Sequence, residues 1–305
     1  MNVAVPRRIK LFVWGGVASF VLAVVAVAVT LILNARQVAL ADSASGANRF
    51  VSSAESALNR SLLAVDVLLA SMDEMLELSG ARPEWLDPEV ASQRLRSSAR
   101  QNLMVRYVAL LDTQGRVFAS SDAAGASLSA SLPAGFAASV FEQPVSMLMV
   151  SAPAVSFVSA ERVLYLARQM RLVDGTQMLA VAEVPVSALA GVLTQGMDIA
   201  GLQVTLERAA GQALLTMPRQ EDALARSLAP PLADLDVLGP AWQARARLSG
   251  ALALVVYRPL MYQDLRIAAS VPRDDALAAW RSTRDGILLT TLGFVVMMVL
   301  VGAVS

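Results

Sequence analysis

Residues 108–121 read Val-Ala-Leu-Leu-Asp-Thr-Gln-Gly-Arg-Val-Phe-Ala-Ser-Ser: an apolar run, a polar turn closed by Gly115, and a second run that returns. Residues 103–111 (LMVRYVALL) and 116–120 read as the strands of a β-hairpin, with Asp112-Thr113-Gln114-Gly115 supplying the turn chemistry. The strand-like period continues downstream. Residues 147–157, 162–172 and 177–184 are three further strands, and Asp174-Gly175 turns the last pair. Residues 121–132, rich in Ser, Ala and Gly, are expected to form a mobile loop, and residues 135–143 one or two helical turns. Pro185 then opens a short helix to about Leu193, at a position that needs no backbone N–H.

After Gly196 the pattern restarts. Residues 202–207 and 212–217 form a second hairpin around Ala209-Ala210-Gly211, followed by a proline-rich connection, 218–240, in which Asp234 and Asp236 are loop residues. Strands at 242–248, 251–258 and 265–271 complete the second set, with Ser249-Gly250 as a tight turn. Val108 precedes Gly115 and Val204 precedes Gly211 by the same seven residues; Arg171 precedes Pro185 and Arg258 precedes Pro272 by the same fourteen. An internal repeat of this kind implies an α+β architecture of two antiparallel five-stranded units. Each has short helices on one face and a long helix covering the other.

That helix lies upstream. Residues 34–79 lack proline and contain glycine only at Gly46. Val51, Leu58, Leu62, Val65, Leu69, Met72 and Leu76 recur at spacings of three and four, apart from one seven-residue step, which makes one apolar stripe. The stripe packs on its own domain or pairs with a second copy, because the same alternation is a coiled-coil seam. The two are compatible along different lengths of one helix. Gly80 and Pro83 end it, and Asp87-Pro88 starts a second helix over 89–101.

Two apolar segments flank these units. Residues 11–33 are 23 residues without a charge, and at ~1.5 Å per residue they cross a ~30 Å hydrocarbon core. Arg7, Arg8 and Lys10 precede them and no basic residue follows until Arg36, which predicts a cytoplasmic N-terminus. Ala39-Leu40-Ala41 resembles a signal-peptidase site, but the apolar run exceeds the ~7–15 residues of a signal core and Arg36 intervenes, so the segment reads as a retained anchor. Pro272 opens a final helix expected to run unbroken through Trp280, an interfacial aromatic, into a second span at 287–304. The plan is therefore a cytoplasmic 1–10, a span at 11–33, a long helix at 34–79, a membrane-distal unit at 80–195, a membrane-proximal unit at 196–271, an exit helix at 272–286 and a span at 287–304.

Composition removes most enzymatic chemistry. The 305 residues are 56% hydrophobic and 16% charged, with net charge zero and scattered basic groups, so no nucleic-acid footprint is present. There is no cysteine and no histidine, and Lys10 is the single lysine. Thiolate, Ser-His-Asp, His-metal and Schiff-base chemistry are thereby excluded outside the anchor. Nothing calls for a cofactor. Asp66, Asp73, Glu74 and Glu77 share the long helix and read as a solvated face rather than a carboxylate site.

A span, a long helix, two PAS-like units and a proline-started helix into a second span resemble the double Cache (dCache) sensor of bacterial receptors. The stretch 108–121 with Gly125-Ala-Ser-Leu128 resembles the first hairpin and following loop of the distal unit, and Ala180-Val-Ala-Glu-Val-Pro-Val-Ser-Ala-Leu189 its last strand and exit helix. Residues 59–69 are similar to the long helix of sensors that precede cyclic-di-GMP enzymes. The resemblance implies a small ligand, an amino acid or organic acid, bound in the distal unit by an Arg, aromatic residues and an acidic group late in the last strand. Glu183 falls near that acid, where the family has Asp, and Tyr165 with Arg162 or Arg168 falls in the strand before; no Trp stands beside the Arg. Arg106 and Tyr107 are further candidates. An Arg fork suits a carboxylate and an acid an ammonium. The plain alternative is that Arg168 pairs with Glu183 across neighbouring strands and Tyr165 is core packing.

The expectation is the input half of a homodimeric inner-membrane receptor, seated in the lipid bilayer, with no catalytic residues of its own. Its sequence stops at Ser305 with no basic residue after the second span, which suggests a piece of a longer protein with a cyclic-di-GMP enzyme or kinase as output. The competing class is a membrane-anchored scaffold that binds a protein partner.

Overall fold

Arg7–Glu77 form one helix, α1, about 105 Å long at 1.5 Å per residue. The segments expected to form the first span and the long helix after it are thus a single rod, as a run free of proline permits. The computed structural model describes residues 7–77, 87–172, 175–194, 199–224, 226–232, 244–262 and 264–304. Gly80, Pro83, Asp174, Gly196, Asp234, Asp236 and Trp242 lie outside the described residues, as do the side chains of Arg7, Arg8, Lys10, Asp73, Leu76 and Glu77. The apolar stripe is the buried face of α1: Val51, Leu58, Leu62, Val65, Leu69 and Met72 are each at most 2% exposed.

After α2 (Pro88–Ala99), capped by the Asp87 carboxylate, the first sheet is built from β1 (Tyr107–Leu111), β2 (Val117–Ser120), β3 (Met149–Val150), β4 (Ala154–Val155), β5 (Arg162–Arg171) and β6 (Gln177–Pro185). Its order is β2-β1-β6-β5-β3, with β4 also on β5, so among the described residues it has six strands rather than five. The expected strand 147–157 is split into β3 and β4, with Pro153 between them; proline cannot donate to the ladder. Among the described residues the second sheet, β8-β7-β11-β10-β9, has the expected five: β7 (Gln203–Arg208), β8 (Ala213–Met217), β9 (Ala244–Arg245), β10 (Leu252–Pro259) and β11 (Leu265–Pro272). Its strand expected over 242–248 shortens to Ala244–Arg245 among the described residues.

One face of each sheet packs on α1 in a continuous apolar core that includes Leu58, Leu69, Leu166, Ala182, Leu254 and Ile267. The opposite face of the first sheet is closed by α3 (Leu128–Ser131) and α4 (Phe136–Phe141), through Leu128, Phe136 and Val140. The expected mobile loop at 121–132 is instead a 3-10 turn, Ala123–Ser127, running into α3. Asp122 caps that turn by accepting from the Ala124 N–H, and Leu128 is fully buried, which supplies the order that composition alone does not suggest. Gly125 is obligatory there, since a Cβ would lie 1.8 Å from Ser120 Oγ and 3.3 Å from the Tyr107 ring.

The repeat is present, but its register differs from the sequence match. Val163 lies opposite Pro185, and Ala253 opposite Pro272. Arg258 therefore corresponds to Arg168, each five residues further on, and not to Arg171. The segment from 253 to 272 is three residues shorter than that from 163 to 185 (19 against 22), which hid the shift. Both prolines end a strand in extended backbone and act as N-caps instead of first helical residues.

Beyond α5 (Val186–Leu193) and α6 (Glu221–Leu224), the exit helix is not continuous. It forms α7 (Arg273–Ala276), breaks at Leu277 with φ −94° and ψ 2°, and resumes as α8 (Ala278–Val304). Leu277 is buried, so its side chain ties the first turn to the core while α8 departs along α1. At that departure Trp280 Nε1 donates to the Ile32 carbonyl (3.0 Å), and Phe20 meets Phe294 at 6.0 Å between ring centroids. Both α1 and α8 contain stretches long and apolar enough to cross a membrane.

Candidate functional site

Three neighbouring strands place Tyr107, Glu183 and Tyr165 in one row across the first sheet. Tyr107 on β1 and Tyr165 on β5 each stand directly opposite Glu183 on β6. Residues in register on adjacent strands point to the same face, here the face covered by α3 and α4. All three are buried, Glu183 completely. Glu183 Oε2 accepts from Tyr107 Oη at 2.8 Å and from Tyr165 Oη at 3.1 Å, and Oε1 accepts from Arg106 Nη1 at 3.1 Å. The Arg106 guanidinium is 30% exposed and also donates to Glu161 and Ser159 at the surface.

This arrangement is a buried carboxylate held between two phenols. A carboxylate offers about four lone-pair directions, and three are taken, so one on Oε1 remains for an ammonium. Two carboxyl groups, Glu183 and Glu161, face one guanidinium, so the local balance favours a cationic guest. Arg106 is the group able to swing toward a guest carboxylate, because its other partners are on the surface. Among the described residues, no cluster of acidic side chains could hold a metal ion.

Of the sequence candidates, Tyr107, Tyr165 and Glu183 come together. Arg162 and Arg168 do not join them. They lie three residues on either side of Tyr165, and an odd separation on a strand points to the opposite face. Arg168 Nη1 binds Asp66 Oδ1 on α1 at 2.6 Å, so neither the pairing of Arg168 with Glu183 nor a solvated Asp66 is realised. Arg162 Nε binds Glu221 Oε2 of α6 at 2.7 Å. It lines a cleft of about 810 Å³ between the two units, with Val186, Ala190, Met217, Arg219 and Asp275.

Both phenols of the row resist ionisation. Burial, with the adjoining Glu183, pushes Tyr107 far above the ordinary phenol value, and burial pushes Tyr165 up to about 12. Burial and the Asp66 carboxylate likewise raise Tyr262 to about 12. For a group whose folded value is raised, the stabilisation is complete below the unfolded value of 10.0 and is lost as pH climbs through the folded value. An ultraviolet absorbance titration is expected to ionise fewer than two of the four tyrosines one pH unit above 10.0 in the folded protein. Three or more phenolates there, with the fold intact, would contradict the buried row.

No protein-family profile and no curated protein matches the sequence. Solved structures do. The extracellular domain of the putative histidine kinase rpHK1S-Z16 superposes with TM-score 0.62 at 18% identity, covering 80% of this chain and 100% of that one. The ligand-binding domain of the Pseudomonas fluorescens chemoreceptor CtaA, in complex with L-isoleucine, gives TM-score 0.57 at 15% identity over 80% and 98%. That of the Pseudomonas aeruginosa PAO1 amino acid chemoreceptor PctB, in complex with L-Gln, gives 0.53 at 19% identity over 81% and 98%. At these identities the likeness is one of fold. The chain has the double Cache fold of extracellular ligand-binding sensor domains.

Proposed function

We propose that the chain is the sensing input region of a bacterial transmembrane receptor, and that the row of Tyr107, Glu183 and Tyr165 with Arg106 holds an amino acid or a related amine. The N-terminus is cytoplasmic, residues 34–286 lie outside the inner membrane, and the first unit is the membrane-distal one. The observation that carries this reading is the fully buried Glu183, with one acceptor direction left for an ammonium and the partly exposed Arg106 beside it. The amino acids bound by the structurally similar chemoreceptor domains support the ligand class. Binding moves the first unit against α1, and the second unit carries that shift through α7 and α8 to a cytoplasmic output of the cyclic-di-GMP class. A ligand does this only through its differential affinity for two states.

Leu63 and Val67, one turn apart on the outer face of α1, are 43% and 59% exposed. In this reading they meet the same helix of a second copy. The function is tested by thermal unfolding of the full chain in lipid nanodiscs against amino acids, organic acids and polyamines. A true ligand at about a hundred times its Kd is expected to raise the midpoint by about 5 °C. If no compound of these classes stabilises the chain, the scaffold reading replaces this one.

A further inference from the structure

The corrected repeat register brings out a feature that neither unit reveals alone. Arg168 and Arg258 occupy equivalent positions on β5 and β10. Each reaches from its sheet to a carboxylate on α1: Arg168 Nη1 to Asp66 Oδ1 at 2.6 Å, and Arg258 Nη1 to Glu55 Oε2 at 3.3 Å. Asp66 and Glu55 are eleven residues apart, which is about three turns at 3.6 residues per turn, so they share one side of the helix. One rod is thus held twice by the same device.

The two clamps are not independent. The turn that follows β10 also grips α1, through Met261 N–H to Asn59 Oδ1 at 2.9 Å and Tyr262 Oη to Asp66 Oδ2 at 3.3 Å. The Asp66 carboxylate therefore takes Arg168 of the first unit on one oxygen and Tyr262 of the second unit on the other. It is only 19% exposed, where such bonds are screened less than at the surface.

We propose that Asp66 is the positioning residue that couples the two units. It fixes the register of α1 against both sheets, and a displacement of β5 reaches the 260–265 turn, and so β11 and the exit helix, through its two oxygens. Arg258 with Glu55 supplies the second point that stops the rod from pivoting about the first. The assignment deepens the sensing reading by naming the route of coupling, but its test needs no ligand, so the two stand or fall separately.

The test is hydrogen exchange read by mass spectrometry on the full chain in lipid nanodiscs. Arg168→Met keeps the aliphatic stem and removes the charge. It is expected to speed exchange of the 260–265 turn, in the other unit, by about fivefold or more, the scale expected when a charged hydrogen bond is lost from a locally opening segment. Tyr262→Phe, which deletes one hydroxyl, is expected to speed exchange of β5 around Arg168 in return, because coupling is reciprocal. Asp66→Asn is expected to loosen both. If Arg168→Met raises exchange everywhere, the protein is globally destabilised and Tyr262→Phe alone decides. Changes from Tyr262→Phe confined to the second unit overturn the proposal, as do changes from Arg168→Met confined to the first.

Discussion

Replacing Glu183 with alanine is expected to destabilise the first unit by about 3–5 kcal/mol, because two buried phenolic hydroxyls lose their carboxylate acceptor, at about 1–3 kcal/mol each, and the truncated side chain leaves a cavity. Glu183 is fully buried and is the shared acceptor for Tyr107, Tyr165 and Arg106. The truncation takes the carboxylate acceptor from two phenolic hydroxyls in an apolar face walled by Leu128, Phe136 and Val140. Arg106 suffers less, because Glu161 and Ser159 still hold it at the surface. The triple variant Glu183→Leu, Tyr107→Phe, Tyr165→Phe removes the acceptor together with its two buried donors. It is expected to recover more than half of the lost stability while abolishing ligand binding. Calorimetry of the single and triple variants checks this; a triple variant less stable than Glu183→Ala would mean that the row is held by packing, not by its hydrogen bonds.

The second large effect lies in the other unit. Glu207 and Arg247 form a bidentate pair, with Nε to Oε1 at 3.0 Å and Nη2 to Oε2 at 2.6 Å. Their side chains are 0% and 2% exposed. Thr205 Oγ1 donates to Glu207 Oε1, and the Arg247 guanidinium also donates to the Leu228 and Pro230 carbonyls. Arg247 thereby pins the connection after α6 to the sheet. Arg247→Met is expected to cost about 3–5 kcal/mol because it leaves a buried carboxylate unpaired. The double variant Arg247→Met, Glu207→Leu removes both charges and is expected to return most of that loss, as buried pairs replaced by apolar groups commonly do. Exchange protection of β7 and β11 reports the result. A double variant no more stable than Arg247→Met would show that the carbonyl bonds, not the ion pair, dominate.

These two clusters separate what a sequence discloses from what it conceals. The buried face of α1 follows from spacing alone, because a helix repeats every 3.6 residues and Val51 to Met72 keep that period. The hairpins follow from turn chemistry, and Glu183 is conspicuous as an acid inside an apolar strand. What it meets depends on cross-strand register, which leaves no local mark. Parity would have helped. Arg162 and Arg168 stand at odd distances from Tyr165 and cannot share its face, whereas Tyr107 needed only the β1–β6 pairing to become a partner of Glu183; Arg106, one residue ahead of β1, reaches that carboxylate from beyond the strand end, which parity does not reveal.

Arg247 was invisible for a related reason. It sits in a short stretch before the Ser249-Gly250 turn, and only the folded connection at Leu228–Pro230 reveals its role. Glu207, another acid in an apolar strand, was the available signal. The repeat was legible, but its exact register was not, since a three-residue difference in the second hairpin shifts Arg258 from Arg171 to Arg168. The segment 121–132 looked mobile because small residues carry little packing information; a single buried Leu128 and the Asp122 cap order it.

The most direct test of the proposed ligand site is the binding isotherm of whichever compound stabilises the full chain, measured in nanodiscs for the wild type and for Tyr165→Phe. That substitution removes one hydroxyl from Glu183 Oε2 and keeps the ring. The account predicts saturable binding by the wild type and a change in Kd of about tenfold in the variant, the scale of one hydrogen bond to a charged group. Saturable binding with the same Kd in both proteins would place the ligand elsewhere and contradict the assignment of the row.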